Sequence, residues 1–128
     1  MELTNLIQDM PTDQPRLRVY GTHAIFNSVA VRLLELKPGD YVRFSKPRIH
    51  TGNKTPIYVG KTTNINGAFR VFKKDARMRV NGTVLMRKLQ ESLDGPGCYR
   101  ICPEDSVTEN GETQYNIFFR KYDKKDTD

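Results

Sequence analysis

The chain has 128 residues, 37% of them apolar and 28% charged, with a formal net charge of +6. That composition supplies one domain with a real core; it is too short for two ordinary domains and too apolar to be disordered throughout. No run of about 18 apolar residues suits a membrane span, and "MELTNLIQDMPTDQP" lacks the basic flank and apolar stretch of a secretory signal, so the expected location is cytoplasmic, or inside a virion.

The first 15 residues, in which Pro11 and Pro15 bracket a Thr-Asp-Gln turn, are expected to form an N-terminal arm. One globular domain then covers residues 16–122, and residues 123–128 fray. "RLRVYGTHAIF" alternates Leu17 and Val19 against Arg16, Arg18 and Tyr20, which is strand period, and Gly21 marks a bend before Ala24-Ile25-Phe26. Asn27 or Ser28 suits the cap of a helix whose inward face is Ala30, Val31, Leu33, Leu34 and Leu36, with Pro38-Gly39 as its end. "DYVRFS" reads as a strand and "PRIHTGNKTP" as a loop. "IYVGKT" and "AFRVFKK" read as two strands of a hairpin, because Asn66-Gly67 between them favours a tight turn.

Beyond Arg77 a similar order returns. Met78 and Val80 make a short strand, Asn81 or Thr83 caps a helix with Leu85, Leu89 and Leu93 on one face, and Gly95-Pro96-Gly97 ends it. "CYRIC" is a strand, "PEDSVTENGET" a turn-rich connection and "QYNIFFRKY" the last strand. Asn27 and Asn81 stand at the two helix entrances, with Pro38-Gly39-Asp40-Tyr41 and Pro96-Gly97-Cys98-Tyr99 at the exits. Asn to Gly is 12 residues in one case and 16 in the other, and the difference of four is close to one helical turn. The expected fold is therefore α+β: a β-rich small barrel or curled antiparallel sheet with two short helices. Its pseudo-duplicated β-α-β-β units would run over about 16–75 and 76–122, the first with an added hairpin strand. The competing explanation is that unrelated helix-turn-strand segments share the same caps.

Charge is unevenly spread. Residues 1–15 carry three acids and no Lys or Arg, residues 16–100 carry 17 bases against five acids, and residues 101–128 carry four bases against seven acids. Between Arg43 and Arg79, ten bases face a single acid, Asp75. A folded surface with this field attracts polyanions at the cost of self-repulsion. A solvated face partly balanced by acidic tails is the plainer account.

The segment "AIFNSVAVRLLELKPGDYVRFS" resembles the core element of AbrB-type and MazE-type swapped-hairpin domains, the cradle-loop barrels. The similarity lies in Leu34, Leu36, Gly39, Asp40, Val42 and Phe44 and covers about 25 residues. It implies two interlocking units that form a small barrel, basic side chains near one end that grip DNA, and a part in transcription regulation. If the duplication holds, one chain could close that barrel alone. Thr22-His23 and Phe26-Asn27 replace the Gly-Arg and Ile-Pro usual before the helix, so no particular DNA contact carries over.

Catalytic and cofactor signatures are missing from the sequence. Gly60-Lys61-Thr62 resembles the tail of a phosphate-binding loop, but position 55 is Thr where that loop needs Gly. His23 has no nucleophile in a recognisable context, and the acids Glu35, Asp40, Asp75, Glu91 and Asp94 are sparse. Cys98 and Cys102 would need two further ligands for zinc, and neither His23 nor His50 stands at a suitable spacing; two small buried thiols on one strand face are expected instead. No enzyme activity, cofactor, metal, membrane or small-molecule substrate is expected. The partner expected is nucleic acid, double-stranded DNA first, held through phosphates by Arg70, Lys73, Lys74, Arg77 and Arg79, then by Lys61, Arg48 and Lys46. Phe69, Phe72 and Tyr58 interleave with these bases, which leaves single-stranded nucleic acid open as a variant. The alternative is a structural or assembly protein of a bacteriophage particle or other multi-subunit complex, whose acidic termini and basic middle dock neighbouring copies.

Overall fold

A computed structural model describes residues 14–47 and 56–121. Eight antiparallel strands close into a barrel: β1 (Arg16–Val19), β2 (His23–Phe26), β3 (Tyr41–Ser45), β4 (Ile57–Thr62), β5 (Phe69–Lys74), β6 (Arg77–Asn81), β7 (Gly97–Glu109) and β8 (Glu112–Ile117). Around the barrel they follow the order β1-β2-β6-β5-β3-β4-β8-β7, and β7 returns to pair with β1. Two helices, α1 (Ser28–Leu34) and α2 (Thr83–Ser92), each lie against β1 and β2. Among the described residues no helix is long and apolar enough to cross a membrane.

Strand alternation sets the interior. Leu17, Val19, Ala24, Phe26, Val42, Val59, Val71, Val80, Tyr99 and Ile101 face inward and are almost wholly buried, and the helices add Ala30, Leu34, Leu85, Met86 and Leu89 to the same cluster. The spacing of Leu85, Leu89 and Leu93 does bury one helix face, as the sequence suggests. Tyr99 is the largest side chain inside; its hydroxyl donates to the Gly95 carbonyl just past α2, and burial pushes its pKa up to about 12.

Several local expectations are revised. Asn27 is indeed the cap of α1, its Oδ1 accepting from Ala30 N at 2.9 Å, and it also accepts from Arg16 N at 2.9 Å while donating to the Gln14 carbonyl. That helix ends at Leu34, before Pro38-Gly39, because Glu35 turns left-handed at φ 55° and Leu36 N reaches back to the Val31 carbonyl at 3.0 Å. Lys37-Pro38-Gly39-Asp40 then forms a separate turn into β3, closed by Asp40 N to Lys37 O, with Gly39 at φ 96°. The cap of α2 is Gly82, without a side-chain bond, and not Asn81 or Thr83; Asn81 Oδ1 instead accepts from Arg79 Nε.

The larger correction concerns hairpins. β4 and β5 do not pair with each other: β3 lies between them and bonds to both. Asn66-Gly67 makes a turn in the crossover, with Ala68 N bonded to Ile65 O and a positive φ at Gly67 alone of the two. Such a turn lacks the twist of a two-residue hairpin. Arg43, on β3, donates to the carbonyls of Asn64 and Asn66 and so fixes that crossover. The true basic hairpin is β5–β6, joined by Asp75-Ala76, both at positive φ. The supposed connection 103–113 is mostly strand. β7 runs on to Glu109 with a bulge between Cys102 and Ser106, and β8 ends at Ile117.

Candidate nucleic-acid interface

Strand pairing carries the outward residues of β7, β1, β2, β6 and β5 into rows across the barrel wall. One row runs Cys98, Arg18, Ile25, Arg79, Phe72, each the register partner of the next. A second pairs Arg100 with Arg16 on one side and Arg77 with Lys74 on the other. Arg70 and His23 lie beyond Arg79 on the same outward parity. The face therefore spans five consecutive strands, with its cations on β1, β5, β6 and β7, although its residues come from three separate stretches of sequence.

Among the described residues carboxylates neutralise this face at Arg100 and leave its β5–β6 cations unpaired. Among the described residues two ion pairs form, Lys61 with Asp40 at 3.4 Å and Arg100 with Glu104 at 2.8 Å. Neither involves Arg18, Arg70, Lys73, Lys74, Arg77 or Arg79. Arg79 instead lies over the Phe72 ring, its guanidinium carbon 5.7 Å from the centroid. His23 stacks on Tyr20 with centroids 4.7 Å apart and shares a 3.0 Å hydrogen bond with Thr22 Oγ1. Burial lowers its pKa first, and the nearby positive charges of Arg79 and Lys74 lower it further.

The expected site residues divide accordingly. Arg70, Lys73, Lys74, Arg77 and Arg79 belong to β5–β6; Lys73, Lys74 and Arg77 flank its turn, and Arg70 lies at the far end beside Gly39. Lys61 is elsewhere, tied to Asp40 and to the Glu35 carbonyl at the end of α1. Lys46 is exposed just after β3, and Arg48 lies outside the described residues. Phe69 packs against the core, whereas Phe72 stays half-buried on the outer face. Arg16, Arg18 and Arg32, which local charge density does not single out, line a groove with Lys73 and Arg77. For Arg16 and Arg18 the signal was the outward parity of β1, legible only once β2 is known to join β1 to β6; Arg32 comes from α1.

Three acids of the β7–β8 hairpin are engaged within the chain. Glu112 accepts from Thr62 Oγ1 at 2.8 Å and from Thr63 N at 2.9 Å, bonds that hold its carboxyl below the usual range. Asp105 accepts from Asn116 Nδ2, and Glu104 takes the Arg100 guanidinium in a two-bond fork. Cys102 is buried, while Cys98 is only half-buried and reaches the groove. The chain matches no family model, no curated protein and no solved structure.

Proposed function

We propose that this protein binds nucleic acid, double-stranded DNA first, as a binding module without catalytic activity. The observation that carries this reading is the five-strand face on which Arg18, Lys74, Arg77 and Arg79 stand together with no carboxylate paired to them among the described residues. A polyanion laid on such a face releases its counterions and relieves the repulsion among these side chains. The fold can hold the charges together because each lies on a hydrogen-bonded strand.

The resemblance to swapped-hairpin domains belongs to this proposal, as does duplication within one chain. Exchange of β1–β4 with β5–β8 maps every strand pairing onto another: β1–β2 onto β5–β6, β3–β4 onto β7–β8, β1–β7 onto β5–β3, with β2–β6 and β4–β8 mapping onto themselves. That correspondence favours two β-β-α-β-β copies divided in the crossover after Thr62. Division at residue 75 would leave five strands in one copy and three in the other.

The assembly alternative uses acids as docking groups, and in the described hairpin Glu104, Asp105 and Glu112 are already bonded within the chain. A titration at several salt concentrations tests the proposal. With about six phosphates engaged, log affinity falls against log salt with a slope near −5. The double variant Arg77→Glu, Arg79→Glu abolishes binding and keeps the fold. A flat salt response with self-association in the absence of DNA would favour the assembly reading instead.

A further inference from the structure

Beside the basic face, α1, β1, β2 and the β5–β6 turn enclose a groove of about 680 Å³, a size typical of small-ligand sites. Its charged lining among the described residues is Arg16, Arg18, Arg32, Lys73 and Arg77, with no carboxylate among them, and its apolar lining includes Ile25, Phe26, Val31, Ala76 and Met78. Duplex phosphates alone require neither the concavity nor the apolar lining, since they are met by side chains spread over an open surface. A phosphate that carries a flat, uncharged body requires both.

We infer that the groove takes one unstacked nucleotide of a nucleic-acid strand, the phosphate held by the arginines and the base laid on the apolar lining. The inference rests on the nucleic-acid reading and adds to it a preference for unpaired strand. Four of the five cations are arginine. Their planar forks match two phosphate oxygens at once and stack on base faces, which a lysine ammonium does not do. They approach from different elements: Arg16 and Arg18 from β1, Arg32 from α1, and Lys73 and Arg77 from either side of the hairpin turn. An acidic peptide would satisfy the charge but has no flat body for Ile25, Val31 and Met78 to cover.

The experiment uses the full chain with a blunt DNA duplex, the same duplex bearing a single-stranded overhang, and a polyglutamate peptide. The overhang should bind about tenfold tighter than the blunt duplex, in keeping with the stacking of one base. Arg32→Glu, on an exposed helix position, should bring that ratio to about one. In parallel, the methyl signals of Ile25, Val31 and Met78 should shift with a nucleoside 5′-monophosphate and not with inorganic phosphate. Blunt and overhang duplexes bound equally, or a preference that survives Arg32→Glu, would overturn the groove while leaving duplex binding in place. Polyglutamate competing as well as the overhang would replace the nucleotide with an acidic peptide. Methyl shifts from the mononucleotide without duplex binding would uphold the groove and refute the surface, and no binding of any nucleic acid would refute both.

Discussion

At the scale of single residues, Gly60 shows how a motif can mislead. In sequence it sits in a Gly-Lys-Thr triplet reminiscent of phosphate binding, but in the fold it is buried in β4 against Thr113 and Gln114 of β8. A Cβ built there would stand 2.4 Å from the Thr113 carbonyl oxygen and 2.8 Å from Gln114 Cγ. Gly60→Ala should therefore destabilise the barrel by about 1–3 kcal/mol, the usual cost of overpacking, as measured by chemical denaturation; an unchanged midpoint would show that β8 yields freely. Ala76 shows the reverse case. It holds φ 63° in the β5–β6 turn, a conformation that glycine adopts without strain. Ala76→Gly should raise stability by about 1 kcal/mol, seen as a higher melting temperature, and a loss of stability would contradict the strain argument. Asn27 was legible as a cap, since its side-chain chemistry is local. Its second and third bonds, to Arg16 and Gln14, were not, because they depend on where β1 comes to lie.

Among the elements, inward and outward positions were legible and partners were not. The alternation in β1 and the leucine spacing in α2 follow from period alone, so both appear in the fold as expected. Hairpin partners were misread for a physical reason: Asn66-Gly67 carries strong turn chemistry but serves a crossover, whereas Asp75-Ala76 has weak turn chemistry and serves a real hairpin. The misreading moved the expected ribbon by one strand, yet Arg70, Lys73, Lys74, Arg77 and Arg79 remained on one hairpin because all lie in β5 or β6. His23 gives this face a proton-linked property. Its folded-state pKa lies below 6.5, so its contribution to stability is complete above that value and is lost as pH falls through the folded pKa. A bound phosphate backbone would oppose the lowering by Arg79 and Lys74 and raise the pKa again. DNA affinity should thus increase as pH drops from about 7.5 to about 5.5, and His23→Gln should flatten that dependence; equal slopes for the two proteins would remove His23 from the interface.

For the whole molecule, the strand order interleaves the two halves of the chain. Four of the eight seams, β2–β6, β5–β3, β4–β8 and β7–β1, join a strand of the first half to one of the second. Neither half can complete its sheet by itself. Chains divided between Asn66 and Gly67 should each lack cooperative folding and should fold on mixing into a one-to-one complex, as followed by circular dichroism and size-exclusion chromatography. A half that folds alone would refute this. The sequence allowed the barrel class to be anticipated from two helix-turn-strand segments and many short strands, but not the order of the strands, which is decided by contacts between residues far apart in the chain. Closure of the ring has a consequence for recognition. Each strand has a neighbour on both sides over part of its length, so the closed part of the wall offers no row of amide and carbonyl groups to an incoming peptide strand; the ladder of β7 with β1, however, covers Gly97 to Arg100, and among the described residues Ser106 to Glu109 of β7 pair with β8 alone. Whatever docks on the closed part of the wall must be selected by the shape and charge of its side chains, so specificity can change there by substitution while the hydrogen-bonded framework stays as it is.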